Sequence, residues 1–119
     1  NSGSDTFSPG SPVCKIGAMY MIGSSVSPRH NILGLAVDVS GPGDQLKIQS
    51  GGIIQLSPEN WDIVTGQVGG LSTNAIYYVN SLSRVSPDAP TLSPEYLVKI
   101  GVALNNIELL IDLDLIIRL

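Results

Sequence analysis

GGIIQLSPENWDIVTGQVGGLSTNAIYYVN, residues Gly51 to Asn80, is the stretch whose reading decides the fold. Gly51-Gly52 permits a turn, and Ile53-Ile54-Gln55-Leu56 is short, apolar and β-branched, as a strand buried on at least one face should be. Ser57 then suits a helix cap. Pro58 fits the first helical position, where its missing N–H costs nothing, and Glu59 favours the positive end of the helix dipole. Gly66 ends the segment, so one short helix is expected over about residues 58–65. Trp61 and Val64, three apart, share a face, and the indole is expected to plug the open end of a sheet. After a turn through Gly69-Gly70, Ala75-Ile76-Tyr77-Tyr78-Val79 resumes a strand in which Tyr77 and Tyr78 point to opposite faces. Trp61, Gly66, Gly69, Gly70, Tyr77 and Tyr78 therefore read as structural residues, and no catalytic constellation lies among them.

Outward from this stretch, the chain keeps the same grammar. Val13 to Ile22 holds two apolar stretches around Gly17, readable as one bulged strand or a strand with a bend. Ile32 to Val39 is another strand, with Gly34 allowing close backbone approach, and Leu46 to Gln49 alternates with period two. Ser81 to Pro94 contains Pro87, Pro90 and Pro94 and reads as a stiff loop that cannot join a central strand. Tyr96 to Leu104 and Ile107 to Leu113 make the clearest hairpin, with Asn105-Asn106 expected to form a tight two-residue turn. Short strands separated by Gly and Pro turns indicate an all-β fold, a small β-barrel or β-sandwich.

The order GG, apolar strand, Leu56, Trp61-Asp62, Thr65-Gly66, Gly69-Gly70-Leu71, Tyr77-Tyr78, then Lys99-Ile100-Gly101-Val102-Ala103-Leu104 and Leu109-Leu110-Ile111-Asp112, resembles a pattern recurring in tailed-phage virion structural proteins. The resemblance covers Gly51 to Leu113 and, more weakly, Gly10 to Val39. It departs at Asn105-Asn106, where the family usually has a Ser/Ala/Thr-rich link. Such modules occur on capsid decoration proteins, on head fibres and inside tail-fibre proteins. The resemblance implies a virion structural protein but no position on the virion; the short, non-repetitive chain favours a cement protein on the outer capsid surface, bridging coat subunits. It would be partnered by the major capsid protein and by itself as a homotrimer. A head- or tail-fibre module for host attachment is the alternative.

Composition bounds the rest. At 119 residues and 12.5 kDa the chain fits one small domain, divided here into an extended N-terminal arm over residues 1–12 and a β domain over residues 13–119. Charged residues are 13% and hydrophobic ones 43%, with mean hydropathy +0.26, and this extra apolar surface points to an oligomer. A net charge of −4 and six scattered Lys and Arg exclude a phosphate-neutralising stripe, so no nucleic-acid partner is expected. No run has transmembrane length, and the most apolar stretch is interrupted by Asp112 and Asp114, so no membrane partner is expected either. One cysteine, Cys14, excludes an intramolecular disulfide and reads as a small buried hydrophobe. Without an initiating Met or a secretory-signal pattern, the chain reads as trimmed or as part of a longer one.

The first twelve residues, NSGSDTFSPGSP, are small, polar and turn-prone. Ordering them costs about 1–2 kcal/mol per residue, so either the rest of the fold or a neighbouring subunit must hold them, and a neighbour is the favoured anchor. Interface residues are therefore expected at Phe7, Pro9 and Pro12 in the arm and at Leu110, Ile116, Ile117 and Leu119 in the C-terminal strand. That strand is apolar on both faces, so either a subunit covers it or it lies inside its own sheet.

Candidate chemistry is sparse. His30, the single histidine, lacks a nucleophile elbow to serve and is expected as a solvated loop residue. Asp112 and Asp114 lack a calcium loop and read as guards against aggregation, and Glu59 with Asp62 supports glycosidase chemistry only as two isolated acids. No catalytic residue, metal ligand or cofactor site is expected, and the chain reads as a non-enzyme.

Overall fold

The computed structural model describes residues 5–91 and 95–118, with side chains described as far as residue 114. Strands β1 (Pro12–Ile16), β2 (Met19–Ile22), β3 (Ile32–Ala36) and β4 (Ile48–Gln49) form one antiparallel sheet in the order β2-β1-β3-β4. Strands β5 (Gly52–Gln55), β6 (Ile76–Val79), β7 (Val85–Ser86), β8 (Tyr96–Ala103) and β9 (Glu108–Arg118) form a second, in the order β5-β9-β8-β6-β7. Helix α1 (Pro58–Thr65) follows β5. The two sheets pack as an all-β sandwich, not a closed barrel. The chain crosses between them once, after Gln49, whose side-chain amide donates to the Gly51 and Ile53 carbonyls, each at 2.9 Å.

Alternation explains the layers. Cys14, Ile32 and Leu35 of the first sheet meet Ile54, Tyr77, Val79, Val98, Ile100, Leu109 and Ile111 of the second in one buried core. The neighbours Val13 and Ala36 point the other way. They are buried too, beneath Phe7, with Tyr20, Ile22, Leu46 and Ile48 packed around them. Burying a phenylalanine is worth roughly 1.5–3 kcal/mol, which helps offset the entropy of ordering the segment that carries it.

The N-terminal segment is thus anchored by its own chain, which corrects the expectation of a neighbouring subunit. Phe7 N–H donates to the Ser40 carbonyl at 2.7 Å and Ser40 N–H returns the bond at 3.1 Å. Gly10 N–H to Ala36 O and Ala36 N–H to Ser11 O, both 2.8 Å, carry the pairing into β1. Asp5 accepts from Ile22 N–H at 2.8 Å and pairs with Arg29 at 3.3 Å, closing off the edge strand β2. A hydrophobic anchor and backbone pairing outweigh the polar composition that made residues 1–12 read as an extended arm held by a neighbour; residues 1–4 lie outside the described residues.

Two local readings also change, and two hold in more detail. Val13 to Ile22 is a hairpin, because Gly17 takes φ +59 at the first central position of a two-residue turn, where Gly fits. The β8–β9 connection is a three-residue loop: Leu104 N–H still pairs with Glu108 O, and Asn105 Oδ1 accepts from Ile107 N–H and Glu108 N–H. Neither Asn105 nor Asn106 has a positive φ, so Asn closes the loop through its side chain instead of by left-handed backbone. Within the Pro-rich loop, Val85–Ser86 joins the sheet as an edge strand. Strand β9 runs to Arg118, with Ile117 opposite Leu97, so its end pairs within its own chain.

Candidate functional site

The residues that carried the phage resemblance lock one corner of the sandwich. Ser57 accepts from Asn60 N–H at 3.2 Å to start α1, and Gly66 ends it at φ +75, with its N–H on the Asp62 carbonyl at 2.9 Å. The Asp62 carboxylate then accepts from Gly69 N–H at 3.1 Å and Gly70 N–H at 2.8 Å, folding the glycine loop back onto the helix. Trp61 is fully buried, its indole N–H donating to the Ile107 carbonyl at 2.8 Å, and Leu71 N–H reaches the Asn106 carbonyl at 2.9 Å. Tyr77 is also fully buried; its hydroxyl donates to Gln67 at 2.6 Å and accepts from Ser72 N–H at 2.7 Å. Trp61, Gly66, Gly69, Gly70 and Tyr77 are architectural, and Tyr78 sits half-buried on the opposite face, in register with Lys99.

The titratable candidates are scattered. His30 is half-buried, not solvated, and stacks on Tyr96 with centroids 3.7 Å apart and planes 7° from parallel, its Nδ1 buried without a hydrogen bond. Nearby, the buried Ser25 hydroxyl donates to Glu95 at 2.5 Å, and Tyr96 N–H to the Ser25 carbonyl at 2.6 Å, so this cluster ties the 23–31 loop to the start of β8. Glu59 lies exposed while Asp62 is committed to the glycine loop. Lys99 reaches Asp112 at 2.9 Å and stands in register with the exposed Asp114. Burial pushes the Cys14 thiol up from its ordinary range, against a smaller pull from Arg29. Among the described residues there is no pocket, no group of three or more His, Cys, Asp or Glu placed to hold a metal ion, and no helix long and apolar enough to cross a membrane.

Of the expected interface residues, Phe7 and Pro12 are buried inside their own chain and Pro9 is half-buried. Ile116 and Ile117 belong to β9 by backbone, but their side chains, like all of Leu119, lie outside what is described. Leu110 remains, 41% exposed, and the register shows its company. Ile53 pairs with Leu110, Leu110 with Val102, and Val102 with Ile76, so four aliphatic side chains form one row across β5, β9, β8 and β6 on the outer face of the second sheet. At about 4.8 Å per strand the row spans roughly 14 Å. Ile53 is 50% and Ile76 42% exposed, Val102 is half-buried, and Leu104, just past the end of β8, is exposed as well. Single exposed aliphatics are ordinary, whereas a contiguous line of them is a candidate contact surface.

No family model, curated protein or solved structure matches the chain.

The sequence reading singled out Leu110 but missed Ile53, Val102 and Ile76. Their signal was present in runs such as Ile53-Ile54 and Leu109-Leu110-Ile111, where apolar residues occupy both faces of a strand. Only the pairing of strands far apart in sequence shows that these outer residues line up.

Proposed function

We propose that this chain is a structural module of a virion, a capsid decoration protein that acts by association: it docks on the outer surface of the shell as a homotrimer and bridges coat subunits. The observation that carries the reading is the row Ile53–Leu110–Val102–Ile76, four aliphatic residues in register across one sheet face, three of them 41–50% exposed. The resemblance of the sequence from Gly51 to Leu113 to a pattern in virion structural proteins supplies the setting. The bonds that tie Trp61, Asp62 and Tyr77 to neighbouring loops are all internal, which suits a scaffold that must hold its shape on a shell. Burial of apolar surface at about 25 cal/mol per Å² over a contact of standard size, about 1,600 Å², supplies the driving force, less the cost of association. Cryo-electron microscopy of the intact particle tests this. Density for the chain on the head, against coat subunits, is the expected result; density confined to tail or head fibres contradicts the cementing role and favours host attachment.

A further inference from the structure

The rim of the apolar row carries information about what lies on it. On the same outer face, Glu108 flanks the row on one side, and Asp112 and Asp114 stand beyond it on the other, against one base among the described side chains of β8 and β9, Lys99, which is already paired with Asp112. Three acids to one base leave this part of the face net negative. Two copies stacked through this face would bring two acidic rims together across a desolvated apolar contact, where like charges are most costly. A surface with its own aliphatic residues bordered by Lys or Arg meets the row and satisfies the rim at once.

From this charge pattern we infer that the outer face of the second sheet is a heterologous docking surface for a protein partner that presents an aliphatic patch edged by basic side chains, and not a contact between copies of this chain. Ile53, Leu110, Val102 and Ile76 supply the apolar centre, and Asp114 supplies part of the charge that sets orientation. Copies that associate with one another do so through other surfaces. The inference rests on the virion reading for the identity of the partner, the shell.

The test uses particles of the phage that encodes this chain, produced without it, as the binding probe, and adds back purified wild-type or variant chain at about 50 mM and about 500 mM salt. Wild-type chain binds, and more weakly at the higher salt. The double variant Leu110→Thr with Ile76→Thr, which keeps strand-compatible residues, binds at least about tenfold more weakly. Asp114→Asn, fully outside the core, weakens binding about threefold at low salt and has little effect at high salt. Val68→Thr, at a side chain 97% exposed elsewhere on the surface, leaves binding unchanged. Circular dichroism on each variant confirms folding. Wild-type binding that the double variant and Asp114→Asn leave intact overturns the docking face alone. No wild-type binding overturns the virion reading and the docking face together. Sedimentation equilibrium closes the remaining route: an oligomer that the double variant dissociates makes a second copy the occupant and overturns the inference.

Discussion

The outer sides of the two sheets are built from similar residues and treated differently. On the first, Val13 and Ala36 lie beneath Phe7, which the chain brings back from its own N-terminal segment. On the second, Ile53, Leu110, Val102 and Ile76 form a comparable apolar surface and remain exposed or half-buried. The covered side shows that this chain can seal an apolar face with one aromatic residue and a few backbone bonds. Leaving the other side bare is therefore a property of the design, and it separates what stabilises the molecule from what the molecule is proposed to bind.

The largest expected effect breaks the comparison from the covered side. Phe7→Ala removes the cover of the first sheet and is expected to cost about 3–5 kcal/mol, read from urea unfolding, because a fully buried aromatic leaves a cavity behind. A loss below about 1 kcal/mol would show that Phe7 is not the seal. Next, Asp62→Ala frees the glycine loop from α1 by removing the acceptor of two N–H groups, at an expected cost of about 2 kcal/mol. Exchange of the Gly69 and Gly70 amides should accelerate; unchanged exchange would assign the loop's order to other contacts.

The smaller effects sharpen the contrast. Leu110→Thr on the bare face should change stability by less than about 1 kcal/mol, since its side chain is already partly in water. A loss as large as that of Phe7→Ala would mean that the row is core and not surface. The smallest effect concerns Cys14, on the inner face of the first sheet. Its thiol pKa is raised by burial in the folded chain, so the neutral form is favoured there and the contribution to stability is full below the unfolded thiol value of about 8.5. It is lost as pH rises through the folded value. Wild-type stability should therefore fall on the alkaline side of about pH 8.5 more steeply than that of Cys14→Ala, and equal slopes would contradict it.

How much of this was legible in the sequence depends on how local each feature is. Helix α1 has the expected limits, Pro58 to Thr65, because Ser57, Pro58, Glu59 and Gly66 act within a few residues of one another. The all-β class followed from strand-length apolar runs and turn residues. Gly34 was read as a point of close approach, and a Cβ there would meet the Gln49 carbonyl and, at 2.8 Å, the Ile48 side chain. Ownership of the N-terminal segment was not legible, because Phe7 is one aromatic in a polar stretch and its partners lie near residues 36 and 40. The candidate site was legible only at Leu110. Irregular registers between β8 and β9 and between β6 and β8 fix which residues align, and those depend on pairing across the whole second half of the chain.

Carbene footprinting of the chain, free and bound to the particle, tests the central contrast most directly because it reads side-chain exposure on both sheets at once. The account predicts strong labelling of Ile53, Ile76 and Leu110 in the free chain, protection of all three on the particle, and no labelling of Phe7 or Val13 in either state. Labelling of Phe7 in the free chain, or equal labelling of the row in both states, would contradict it.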